Sequence, residues 1–114
     1  LRFWLFEKNN TDNIVGTICF HNITPDIFSS ASIGYKIDEA YWRQGYCFEA
    51  VASGLKLVSQ EIGIRRFEAL VLPENYPSIC LLEKIGFCRE GLLKDKVFIQ
   101  NQWRDHYLYS LIVE

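Results

Sequence analysis

The order of strand-like and helix-like segments predicts an α/β (α+β) fold. The expected core is a mixed, mostly antiparallel sheet in the order β-β-β-α-β-α-β-β, within one domain over residues 1–114. Two observations predict it. Aromatic and β-branched runs separated by turn clusters open and close the chain, and two strand–turn–helix units follow each other in the middle.

"RFWLFEK" (2–8) reads as a strand, "NNTDN" (9–13) as a turn cluster, and "IVGTICFHNI" (14–23) as the hairpin partner. Pro25 breaks the pattern over 24–30. "ASIGYKI" (31–37) is the third strand, where Gly34 signals a bulge or a close backbone approach. From Tyr46 to about Ile62, Phe48, Val51, Ala52, Leu55, Val58 and Ile62 recur at helical spacing, with Glu49, Ser53, Lys56 and Gln60 on the other side. Gly63 follows as the residue that ends a helix in a left-handed conformation. "RRFEALVL" (65–72) is the fourth strand, its arginines expected in a solvated turn. Asn75 is placed to cap a short second helix with Pro77 in its first turn and Gly86 at its end. The remainder, 87–100 and 103–113, reads as two long strands joined at Asn101-Gln102.

With 12 Lys plus Arg against 14 Asp plus Glu, the net charge is −2, which supplies no field for nucleic acid or an anionic membrane. No apolar run approaches the length of a membrane span. Cys19, Cys47, Cys80 and Cys88 form no C-x-x-C pair, and His21 and His106 sit far from any partner, so no metal site is expected. Each cysteine lies in an apolar stretch and reads as a small buried hydrophobe, which fits a reducing cytoplasm. The chain has no methionine and opens with Leu1 inside a strand-like run, so it is expected to be the C-terminal part of a longer domain.

The start of the first helix is unusual. "YWRQGYCFEA" (41–50) puts a glycine where Ser, Asp or Asn ordinarily satisfies the first-turn N–H groups. Adjacent strands would bring this helix start and that of "PENYPS" to one end of the sheet. Two positive dipole ends and free N–H donors there make a site for a phosphorylated ligand. G-x-G-x-x-G is missing, which argues against a dinucleotide enzyme.

"IGYKIDEAYWRQGYCFEA", "RRFEALVLPENYPSICLLEKIGF" and "REGLLKDKVFIQNQWRDHYLYSL" together resemble the GNAT superfamily of N-acetyltransferases, most closely the branch typified by ribosomal-protein alanine N-acetyltransferases. The likeness runs in order over nearly the whole chain. It implies acetyl-CoA as cosubstrate and direct transfer of the acetyl group to an amine. The family's pyrophosphate loop maps to Trp42, Arg43, Gln44, Gly45, Tyr46 and Cys47, with Trp42 in place of the usual Arg or Gln and Cys47 in place of the last small residue. A Cβ at Gly45 would block close approach of the phosphates.

The resemblance further implies an oxyanion donor from the backbone around Ile37 with Tyr35 close by, Ser78 near the CoA sulfur, and Asn75 on the pantetheine arm. Ser78 also suits an ordinary helix start. An α-amine, with a pKa of about 7.7–8.0, needs only a weak base. Glu39 beside the loop is the candidate, and it also reads as a solvated loop charge. Glu68 and His106 are further candidates for the same role, and each has an equally plain reading as a surface or packing residue. Tyr107 and Tyr109, on one strand face, read as packing, with lining of the acceptor cleft as the alternative, and Trp4 and Trp103 as core or edge aromatics.

Family members carry a strand and two helices before the segment read as 2–8. Without them, apolar sheet surface would favour a homodimer, strand exchange or a partner segment. The expected acceptor is a protein N-terminal α-amine. The alternatives are a small amine (polyamine, amino acid or amine drug), or a non-catalytic CoA-binding or interaction module.

Overall fold

The computed structural model describes residues 1–7, 10–24, 29–37 and 46–113; for 7, 10–15, 37, 46 and 47 the description is of the backbone. The elements are β1 (Arg2–Glu7), β2 (Asn10–Thr24), β3 (Ser30–Ile37), α1 (Tyr46–Ile62), β4 (Arg66–Val71), α2 (Tyr76–Ile85), β5 (Cys88–Ile99) and β6 (Gln102–Ile112). This is the expected order. Among the described residues the strands form one sheet, β1-β2-β3-β4-β6-β5, in which only the β3–β4 pair is parallel.

Strand alternation sends one set of side chains towards the helices. Ile18, Phe20, Ala31, Ile33, Phe67, Ala69, Val71 and Tyr109 lie buried there against Val51, Leu55 and Val58 of α1 and Leu82 of α2. Removing each such large side chain from water contributes about 1.5–3 kcal/mol. Phe20 is the hub, with its ring edge-on to Phe3 and Phe67 at 5.9 Å each. At Gly54 α1 comes so near β2 that an added Cβ would meet the Ile18 and Phe20 side chains at 3.6 Å. The helix α2 starts beside β3 and reaches β6, where the Tyr109 hydroxyl donates to Glu83 at 3.3 Å. Among the described residues no helix is long and apolar enough to cross a membrane.

Both helices end as expected, with Gly63 at φ 82° and Gly86 at φ 122°. The Gly86 N–H donates to the carbonyls of Leu82 and Glu83, and Phe87 N–H to that of Leu82. At the other end of α2 the Asn75 side chain accepts from the Ser78 N–H at 3.3 Å, the expected cap.

Several local expectations are corrected. Pairing of Glu7 with Asn10 extends β2 through residues 10–13, where a turn is expected. Asn, Thr and Asp favour turns, but here the partner strand decides. The last hairpin turns at Gln100 and Asn101, not Asn101-Gln102, with φ 50° and 63°. Two left-handed residues give the turn whose twist matches the flanking strands. Gly34 sits in a regular ladder opposite Cys19, and an added Cβ would meet only the His21 ring at 3.9 Å, so neither bulge nor close approach is present. Cys80 and Cys88 are exposed and Cys19 half-buried, against the reading of buried hydrophobes. The bulges lie elsewhere, notably in β5, where register shifts between Leu93 and Val97 around Lys94, Asp95 and Lys96.

Candidate active site

The feature that builds a site is the seam between β3 and β4. The parallel ladder pairs Ser30 with Arg66, Ala31 with Phe67 and Ser32 with Glu68, and then stops, although β3 continues to Ile37 and β4 to Val71. Beyond Ser32 each strand keeps its outer partner: β3 pairs with β2 as far as Ile37↔Gly16, and β4 with β6 as far as Val71↔Tyr107. The two strands therefore part while remaining anchored from outside. Beyond Ser32 and Glu68 the facing edges of these two strands form no ladder with each other.

The base of the seam is fastened by Ser29, at φ 44°. Its hydroxyl donates to the Gly63 carbonyl at 2.7 Å and accepts from the Arg65 N–H at 3.0 Å, while its carbonyl accepts from the N–H groups of Arg65 and Arg66 at 2.9 Å. On the helix side the gap is bridged. Tyr35, on the parted half of β3, reaches Ser78 in the first turn of α2, with the two hydroxyl oxygens 2.5 Å apart. The ring of Tyr35 packs against the core, so its hydroxyl is held by more than this bond.

Among the expected site residues the structure brings Tyr35, Ser78 and Asn75 together at this gap, with Ile37 ending β3 beside it. Tyr46 and Cys47 form the start of α1. Glu39, Arg43, Gln44 and Gly45 lie outside the described residues.

The candidate bases Glu68 and His106 fall elsewhere. Glu68 points to the opposite, helix-free face, where Arg66 holds it at 2.8 Å and also holds Glu90 at 2.8 Å. The Arg66 guanidinium, helped by the Ser110 hydroxyl, lowers the Glu90 carboxyl to about 2, and the same contacts raise the arginine's own pKa. Arg66 is thus paired, not part of a solvated turn. His106 also faces away from α1 and α2; it is buried, with Nδ1 3.2 Å from the Arg104 carbonyl. Asp105 does not orient it, since its Oδ1 accepts from the Asp95 N–H at 2.9 Å. Tyr109 is fully buried in the core, its ring 6.4 Å from that of Tyr107, as the packing reading expected; burial raises the Tyr109 pKa. Trp4 and Trp103 are exposed edge aromatics.

The Tyr35–Ser78 contact is the part of the site that the sequence did not foretell. The two residues are 43 positions apart and meet only because α2 starts over the parted strands.

Comparison with known proteins agrees with this geometry. The family model described as "Acetyltransferase (GNAT) domain" matches residues 1–88. The [ribosomal protein uS5]-alanine N-acetyltransferase of Escherichia coli is 34% identical over 109 residues, covering 96% of this chain and 56% of that protein. The crystal structure of ribosomal-protein-S5-alanine acetyltransferase from Vibrio fischeri superposes with a TM-score of 0.93 at 31% identity, over 99% of this chain and 61% of that one. Mycobacterium smegmatis RimJ in complex with CoA-disulfide gives 0.85 at 36% identity, over 90% and 50%. The chain thus spans little more than half the length of the curated relative it matches. With a sheet that parts between the parallel strands β3 and β4 and a family model over most of its length, the chain belongs to the GNAT acetyltransferase domain family.

Proposed function

We propose that the chain carries the acetyl-CoA half of an N-acetyltransferase that moves the acetyl group directly to a primary amine, with a protein N-terminal α-amine as acceptor. The observation that carries this reading is the parting of β3 from β4 beneath the first turn of α2. A pantetheine arm has two amides, and backbone N–H and C=O groups of strands that have parted from each other are the complementary donors and acceptors. The residues present therefore fit the cosubstrate.

In this reading the backbone around Gly45, with Arg43, Gln44, Tyr46 and Cys47, takes the pyrophosphate at the start of α1. Asn75 contacts the pantetheine arm. An N–H near Ile37, beside Tyr35, receives the negative charge that develops on the thioester oxygen as the amine attacks. The C–S bond then breaks, and the Ser78 hydroxyl donates a hydrogen bond to the departing thiolate. Glu39, directly or through water, takes the proton released by the amine; an α-amine near pKa 7.7–8.0 asks little of that base.

The ribosomal-protein relatives support the choice of acceptor. So does electrostatics: Glu68 and Glu90 are occupied by Arg66, which leaves that carboxylate pair unsuited to holding a polyamine.

Calorimetry with acetyl-CoA on this chain and on Gly45→Glu tests the donor half. Binding by the first and none by the second is the expected result. A folded chain that ignores acetyl-CoA overturns the reading. Turnover assays that offer an alanine-starting peptide and spermidine then decide the acceptor, and preference for spermidine overturns the N-terminal assignment.

A further inference from the structure

The Tyr35–Ser78 bridge has a chemical consequence beyond closing the gap. A serine hydroxyl has a single proton and two lone pairs, so it aids a thiolate only if that proton is not already committed elsewhere. Were Ser78 to donate to Tyr35, its proton would be spent within the protein. A phenol, with a pKa near 10, is a much stronger donor than an alcohol, and an O···O separation of 2.5 Å lies at the short end of the hydrogen-bond range. Both partners are fixed from behind. The Tyr35 ring packs on the core, and the first turn of α2 is set by the Asn75 cap and by the burial of Leu82.

We infer that Tyr35 is a positioning residue for Ser78: its phenol donates to the serine Oγ and so aims the one serine proton into the gap between β3 and β4, at a thiolate leaving group. The inference rests on the acetyl-CoA reading above. Tyr35 neither gives up its proton nor touches the reacting atoms. Its donated bond polarises the serine O–H, which strengthens the bond that Ser78 gives in turn.

The test compares CoA with desulfo-CoA, which lacks the sulfur, by calorimetry at pH 9, where more of the thiol is ionised than at neutral pH. The proteins are the unaltered chain, Tyr35→Phe, Ser78→Ala and the double variant. The phenylalanine keeps the ring in the core and removes only the hydroxyl. The unaltered chain should prefer CoA by roughly tenfold, the scale of one charge-assisted hydrogen bond. Each single variant should lose most of that preference, and the double variant should lose no more than Ser78→Ala alone. In turnover, Tyr35→Phe should lower kcat about fivefold to tenfold with KM for acetyl-CoA unchanged.

A merely structural role would instead weaken CoA and desulfo-CoA equally and leave the preference intact, which overturns the inference. Additive losses in the double variant overturn it as well. Binding of both ligands with no preference in the unaltered chain sinks this inference alone. Failure to bind either ligand sinks the acetyl-CoA reading and this inference with it.

Discussion

The strand β4 is held differently on its two flanks. Towards β6 the ladder runs its whole length, from Arg66↔Ile112 to Val71↔Tyr107, and side chains on both faces are committed: Tyr109 in the core, Ser110 to Glu90 on the other side. Towards β3 the ladder covers only the first half. One strand is therefore fully paired along one edge and parts from its neighbour along half of the other. Where backbone pairing is given up, side chains replace it at chosen points, Ser29 at the base and Tyr35–Ser78 across the gap. A gap in a sheet persists only if the strands beside it are anchored from outside, as β2 and β6 anchor these.

Four measurements break or sharpen this contrast. The largest effect belongs to the closed flank. Tyr109→Ala removes a fully buried ring and should destabilise the fold by about 3–5 kcal/mol, read from denaturant midpoints. A loss below ~1 kcal/mol would mean that the β6 flank is not the scaffold.

Hydrogen exchange tests the open flank directly. Between Ile33 and Ile37, the alternate β3 amides that face the gap should exchange faster than the β4 amides that face β6. Acetyl-CoA at one hundred times its Kd should slow those gap-facing amides about a hundredfold, where ligand release limits exchange. Unchanged exchange would place the ligand elsewhere.

Asn75→Ala should cost about 1 kcal/mol by removing the cap of α2. Because the first turn of α2 carries Ser78, the same change should weaken acetyl-CoA binding more than its effect on the melting temperature suggests. Equal weakening of CoA and desulfo-CoA would assign the loss to the pantetheine arm.

The smallest effect comes from the helix-free face. The folded Glu90 carboxyl sits at about 2, below its ordinary 4.5, so its pairing contributes stability above pH 4.5 that is lost as pH falls towards 2. Glu90→Gln should lower the melting temperature slightly at pH 7, with the difference vanishing between pH 4.5 and 2. A difference that persists at pH 2 would show that charge is not its cause.

The extent of legibility follows the range of the forces. The helix over 46–62, the Asn75 cap and the glycines that end both helices are set by local rules, and the chain follows them. Where two strands choose their register, the local rule failed. Residues 10–13 look like a turn, yet Glu7 pairs with Asn10. The last turn falls one residue before Asn101-Gln102. Cysteine burial misled for a related reason: Cys80 lies in an apolar stretch but on the solvent side of α2, and hydrophobic neighbours in sequence do not fix the face. At the gap, Asn75 is legible as a cap from its place before a helix, whereas Ser78 is singled out only by the family resemblance. The ladder's end after Ser32 and the reach of Tyr35 to Ser78 depend on how β3, β4 and α2 pack, and no short window of residues encodes that.

The β5 bulge also bears on how the molecule behaves in concentrated solution. β5 is an outer strand of the sheet, the kind of rim along which chains add to one another and precipitate. Between Leu93 and Val97 the rim breaks step, and Lys94, Asp95 and Lys96 put charge where an incoming chain would need a flat, apolar row. An added strand would lose its own pairing there and have to desolvate those charges. That rim is thereby blunted against runaway polymerisation, which matters for a sheet whose inner strands β3 and β4 already part over half their length.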